Sequence, residues 1–376
     1  MKKITVLVPL IIACIYVMFI PVFAEDNFAS EIGIDISSLN ENVPSDAENI
    51  IADNGISADN IDAVKNISPA DVIKYMLEEV KAKLDYPLKL LVMLFAVIIA
   101  GSVTENFGSC IENKSVSSVY GTVCVLIAVG IISDPIVKCV KTASDTLYSG
   151  SEFVTSYIPV FSGIMASSGC VTSAAAYSAV MVVFAEFAAS AAANYLMPLV
   201  SICTALGIIQ SINEAFDLTS ITDMISKAVK FILGFIMTVF IGLLSLQSII
   251  GASADTIGVK AAKYLASNCI PVIGGAVADA YTTLKASLGI LRGGVGFFGI
   301  AVIFVSVVPT LIEVVLVKVS FCIAEIISGM FGIKGIKTLL HNSSSVLSMI
   351  ISLIICFGMM LIISTAVMMM TGLDVS

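Results

Sequence analysis

Apolar residues recur along this chain in long blocks rather than in the short alternating pattern of strands. The strongest blocks cover residues 88–103, 117–132, 174–193, 195–209, 231–250, 295–317 and 346–370. A hydrocarbon core of about 30 Å is crossed by roughly 20 apolar residues in helical form. The blocks therefore predict an all-α, polytopic integral membrane protein with six to eight membrane segments. Amphipathic stretches at 137–156, 211–230 and 252–267 alternate with them. Ahead of the first block, Ser68, Pro69 and Asp71 form a helix start, with Ser as N-cap and Pro at the first helical position. The helix predicted over 68–86 places Val72, Ile73, Met76, Leu77, Val80 and Leu84 on one stripe, suited to a membrane surface or a partner.

Two short apolar runs, 158–168 and 270–278, are too short to span and are each led by proline. They are expected to be re-entrant or broken helices, with Pro159, Gly163, Pro271, Gly275 and Gly293 as candidate helix-break positions. Ile158, Pro159, Val160, Gly163 and Ala166 match Ile270, Pro271, Val272, Gly275 and Ala278 at an offset of 112 residues. Asp145 faces Asp255 with a two-residue slip. This points to two internal repeats, 134–250 and 251–376, following a first pair of membrane helices at 87–133. Paired interrupted helices in two halves mark the substrate path in many transporters.

The N-terminus reads as a signal peptide over 1–24. Lys2 and Lys3 precede an apolar stretch, Pro21 ends it, and Val22 and Ala24 fit cleavage before Glu25. An uncleaved anchor helix is the alternative, and both put Glu25 onward outside. Residues 25–67 form an acidic external segment: ten acidic side chains stand between Glu25 and Asn66 against Lys65 alone. Such a block repels itself and buries little, so a disordered tether is expected there.

Composition narrows the chemistry. Of 376 residues, 58% are hydrophobic and 12% charged, more apolar surface than a water-soluble core hides. One arginine, Arg292, and a net charge of −9 leave nothing to neutralise a run of phosphates, which excludes nucleic-acid binding. The nine cysteines form no Cys-x-x-Cys pair and point to neither a disulfide framework nor a metal site. The single histidine, His341, stands beside Asn342 and a serine run that reads as a loop, with no nucleophile set around it. No phosphate-binding Gly-x-x-x-x-Gly-Lys loop occurs, and the glycines between Gly289 and Gly299 enter an apolar run, where they suit close helix contact rather than a dinucleotide. No enzyme activity and no cofactor are expected. Glu186, inside an apolar block, is the foremost pathway candidate, and Glu313 and Lys318 at the edge of another join it, with Glu325 beyond them. An ionised group in hydrocarbon costs at least about 2.5–3.5 kcal/mol, so such residues face a cavity, a partner or the interface.

Specific stretches then carry a resemblance. Tyr-Ile-Pro-Val-Phe-Ser-Gly at 157–163, Asn-Cys-Ile-Pro-Val-Ile-Gly-Gly at 268–275, the stretch 245–255 and the glycines of 289–299 resemble the stage III sporulation protein AE family. The resemblance covers roughly 69–370. It implies a multi-pass protein of the mother-cell membrane around the forespore, acting as a permease-like subunit of a secretion-like channel needed after engulfment. Implied partners are the other membrane and ring proteins of the stage III sporulation A operon, an ATPase subunit, a forespore-side protein and membrane lipid. The resemblance brings no catalytic residues. A free-standing secondary transporter and a non-conducting scaffold of the same complex are the alternatives.

Overall fold

The computed structural model describes residues 39, 43–44, 69–108, 114–190, 194–195, 197–212, 219–269 and 274–370. Among them there is no strand. The helices are α1 (Pro69–Lys83), α2 (Asp85–Gly108), α3 (Lys114–Ser167), α4 (Val171–Ser190), α5 (Met197–Ile212), α6 (Thr219–Cys269), α7 (Gly274–Met330) and α8 (Lys334–Met370). Five of them carry candidate spans long and apolar enough to cross a membrane, and Val171–Phe187 and Ser201–Ser211 are shorter apolar helices. The chain is thus a polytopic helical membrane protein.

The helices are longer than the blocks that predict them. At 1.5 Å per residue the 54, 51 and 57 residues of α3, α6 and α7 extend about 75–85 Å, well past one hydrocarbon core of about 30 Å. In α3 the second apolar block, the amphipathic stretch and the Pro159-led run are one helix, which corrects the reading of 158–168 as a separate broken element. Proline removes the amide that would bond the carbonyl four residues back, here Thr155. Thr155 and Pro159 both lie on the exposed side, and Thr155 borders a cleft with polar walls. Tyr157, Ile158 and Phe161 meanwhile hold the opposite side in the core. Residues 134 and 250, which bound the proposed repeats, lie inside α3 and α6. Pro271 lies outside the described residues, as do the signal peptide and nearly all of the acidic segment. Of that segment Leu39, Val43 and Pro44 are described, and Leu39 is fully buried in the core.

The reading of 341–345 as a loop is also corrected, because His341 and the serines lie within α8. Their hydroxyls need no loop: Ser343 Oγ donates to the Leu339 carbonyl at 2.8 Å within the helix, and Ser344 Oγ meets Cys322 Sγ of α7 at 3.3 Å.

Two tight hairpins join consecutive helices, each turning on a glycine in the left-handed region, Gly169 (φ 85) between α3 and α4 and Gly332 (φ 80) between α7 and α8. The α7–α8 hairpin is the centre, packed by α2, α3, α5 and α6. Its contact with α3 is close because α7 has no side chains there. A Cβ on Gly299 would stand 2.7 Å from the Tyr157 ring, and one on Gly296 2.5 Å from Met369. Into that space α3 places a ladder of rings, Phe153 to Tyr157 at 5.7 Å and Tyr157 to Phe161 at 5.2 Å, with Tyr177 of α4 edge-on to Phe161 at 5.4 Å. The Tyr157 hydroxyl donates to the Val295 carbonyl at 3.3 Å, so this buried phenol is satisfied.

Helix α1 uses only part of its apolar stripe. Val72 is buried, whereas Ile73 and Leu77 stay exposed, since α1 meets the rest along one edge against α7 and α2. Burial holds the Tyr75 phenol of this helix well above its ordinary range, with Glu79 adding to the effect.

Candidate functional site

Helix α3 continues past Pro135 with a polar face made of Tyr148, Ser149, Glu152, Thr155 and Ser156, three or four residues apart and so on one side. Its opposite face, with Leu147, Phe153 and Val154, is buried in the core. Helix α4 returns antiparallel after the Gly169 turn, and Ser151 Oγ donates to the Ala185 carbonyl at 2.8 Å, tying the two helices together. Between them opens a cleft of about 760 Å³, lined by the polar face of α3, by Val182, Ala185 and Glu186 of α4, and by Val43 and Pro44 of the N-terminal segment.

The cleft holds two carboxylates, Glu152 and Glu186, and a row of hydroxyls, with no lysine, arginine or histidine among the described residues of its walls. The Tyr148 hydroxyl bonds Glu152 one turn on. Such a lining is negative and rich in acceptors, so it favours cations and hydrogen-bond donors. Its described residues include no nucleophile paired with a base. Among the described residues no group of three or more His, Cys, Asp or Glu side chains is spaced to hold a metal.

The turn that joins α3 to α4, at the end of α4 away from the cleft, is held by charged groups. Asp255 of α6 accepts from the Thr172 amide at 2.8 Å and the Ser173 amide at 3.0 Å, capping the start of α4 from another helix. A Cβ on Gly251, one turn earlier, would stand 2.6 Å from Ser173 Oγ, so the glycine lets α6 come close enough to deliver that carboxylate. On the other side Arg292 of α7 is 2% exposed; it donates to Cys170 Sγ at 3.5 Å and to the Met369 carbonyl at 3.1 Å. Arg292 thereby joins the α3–α4 turn to the C-terminal end of α8, where a cation suits the helix dipole.

The structure separates the candidates read from sequence. Glu186 lines the cleft. Glu313 lies elsewhere, in an ion-pair set with Lys83 of α1 at 3.2 Å and Lys138 of α3 at 3.0 Å. Lys138 also sits 4.6 Å above the Tyr86 ring, and the Tyr86 hydroxyl donates to Asp134 at 3.3 Å. The Glu313 side chain is 13% exposed between two cations, an arrangement that fastens α1 and α3 to α7 rather than opening a path. Lys318 is half-buried further along α7. Pro159 is on the α3 surface just beyond the cleft, Gly163 is half-buried beside open space, and Gly293 is buried next to Arg292. Gly275 falls in the first turn of α7. Glu152 and Asp255 are the additions that sequence reasoning missed. The signal for Glu152 was the hydroxyl stripe around it in an otherwise apolar chain; nothing local marks Asp255 as the cap of a helix 82 residues away.

Comparison with known proteins agrees with the sequence resemblance. The family model for Stage III sporulation protein AE matches residues 51–372. Stage III sporulation protein AE of Bacillus subtilis (strain 168) is 25% identical over 247 residues, which is 65% of this chain and 61% of that protein. The aligned part thus spans less than two thirds of the relative's length. No solved structure matches the chain.

Proposed function

The chain belongs to the stage III sporulation protein AE family, and from that premise we propose that it is the permease-like membrane subunit of a secretion-like channel between mother cell and forespore. In this reading the protein sits in the mother-cell membrane that surrounds the forespore and supports forespore development after engulfment. It acts without catalysis. The membrane and ring proteins of the same operon, an ATPase subunit and a forespore-side protein complete the assembly. The observation that carries the permease reading is the α3–α4 cleft, which presents Glu152, Glu186 and five hydroxyl-bearing side chains beside helices long and apolar enough to cross a membrane. An isolated ionised side chain on an apolar helix is costly, and a polar cleft is the setting in which it is tolerated.

An in-frame deletion in the native host tests the reading. It should grow normally, complete engulfment and then lose late forespore gene expression. Normal spores, or a nutrient-specific growth defect in place of a sporulation defect, would leave a free-standing transporter as the better account.

A second reading, a non-conducting scaffold, is favoured by helix length. Helices of about 75–85 Å extend beyond one hydrocarbon core and leave apolar faces for other proteins to cover. Substitutions in the cleft separate the two, because a scaffold keeps recruiting its partners and keeps its activity when Glu186 is neutralised.

A further inference from the structure

His341 is the chain's one histidine, and the cleft makes no use of it. It lies two turns into α8, close to the Gly332 turn, and both ring nitrogens face carboxylates of other helices. Nδ1 is 3.0 Å from Glu325 Oε1 of α7, and Nε2 is 3.8 Å from Asp223 Oδ1 of α6. The next residue, Asn342, is buried and donates from Nδ2 to Gln210 Oε1 of α5 at 3.1 Å. Two consecutive residues of α8 therefore gather α5, α6 and α7 at one end of the bundle.

The chemistry of the ring makes this junction depend on a proton. A neutral imidazole has one N–H and one lone pair, whereas the imidazolium has two N–H donors and an ionised carboxylate only accepts. The short bond to Glu325 takes the Nδ1 proton. In the neutral ring Nε2 then turns a lone pair toward Asp223, and the two acceptors cannot bond. In the charged ring Nε2 carries an N–H and positive charge toward Asp223 at 3.8 Å, and the α6 link becomes an ion pair. The charged groups that face the ring are Asp223 from α6, Glu325 from α7 and Lys337 from its own helix, one turn before it; α5 presents the uncharged Gln210 beside it. Two acids outweigh one lysine. The His341 and Asp223 side chains are 42% and 39% exposed, so the pair is not enclosed by the helix bundle.

We propose that Asp223, Glu325 and His341 form a proton-binding site that fastens the first turns of α6 to the α7–α8 hairpin. The fastening is present when the ring is charged and is lost as pH rises through its titration. This site is independent of the reading given to the cleft, and the test uses no activity.

The test is the pH profile of melting temperature for the full chain in detergent, with H341Q and D223N beside it. Between about pH 8 and pH 5 the parent should gain roughly 2 °C over H341Q, and D223N should lose part of that gain, Glu325 holding the rest. Equal slopes in parent and H341Q would overturn the proposal. Because the chain has one histidine, an imidazole-labelled sample gives a single magnetic-resonance signal, and its titration curve should move when Asp223 becomes Asn. An unchanged curve would also overturn the proposal, and this second reading stands even if H341Q does not fold.

Discussion

Helices α6 and α7 are close in length and both strongly apolar, yet α7 is a core element and α6 a peripheral one. Of the apolar window of α7, 72% is buried; of that of α6, 17%. What separates them is shape. Helix α7 sets Gly296 and Gly299 against the rings of α3 and the end of α8, so neighbours approach on several sides. Helix α6 carries Gly234 and Gly242 with nothing within 4 Å, and its Phe231, Phe235, Leu246 and Ile249 point outward. Hydropathy therefore decides which segments belong to a membrane protein, and the placement of small residues decides which of them sit inside it.

Paired substitutions put that contrast to the test in detergent-solubilised protein. The largest effect belongs to truncation of a core ring. Phe298→Ala on α7 should cost about 3–5 kcal/mol, because a side chain 1% exposed leaves a cavity. Phe235→Ala on α6, at a side chain 62% exposed, should stay within about 0.5 kcal/mol. Comparable losses from both would mean that α6 is as internal as α7.

Next come the glycines. Gly299→Leu drives a side chain into the Tyr157 ring and should cost about 3 kcal/mol. Gly242→Leu meets open space and should be neutral or, through helix propensity, slightly stabilising by about 0.5 kcal/mol. A melting temperature lowered as much by the second as by the first would contradict the contrast.

The smallest effect probes the place where α6 does hold the core. Asp255→Asn keeps one acceptor for the start of α4 but loses the charge and one amide bond, for about 1 kcal/mol. Its readout is hydrogen exchange at Thr172 and Ser173, which should quicken in the variant. Unchanged exchange would remove Asp255 as the cap.

These contrasts also show what could be read in the chain beforehand. Membrane class and helix content follow from apolar block length, and Glu186 stands out because an acid within such a block needs an unusual setting. Helix boundaries do not follow. Pro159 looks like a break, yet it lies on the side of α3 turned away from the core, and the helix runs on to Ser167. The serine run after His341 looks like a loop, yet Ser343 bonds back to its own helix and Ser344 meets Cys322 of α7. Long-range assignments were out of reach for a different reason. The two lysines around Glu313 come from α1 and α3, the cap of α4 comes from α6, and the cation at the α3–α4 turn comes from α7. Each arises when distant helices meet, and no local spacing encodes the meeting.

In the function proposed above, the α3–α4 cleft does the protein's work in sporulation. Its most direct test returns E186Q, alone and with E152Q, to a strain lacking the native chain, counting heat-resistant spores while membrane levels of the variants are measured. The variants should accumulate as the parent does but yield far fewer spores, with the double change at least as severe as the single one. Parental spore counts from the double variant at parental protein levels would contradict it.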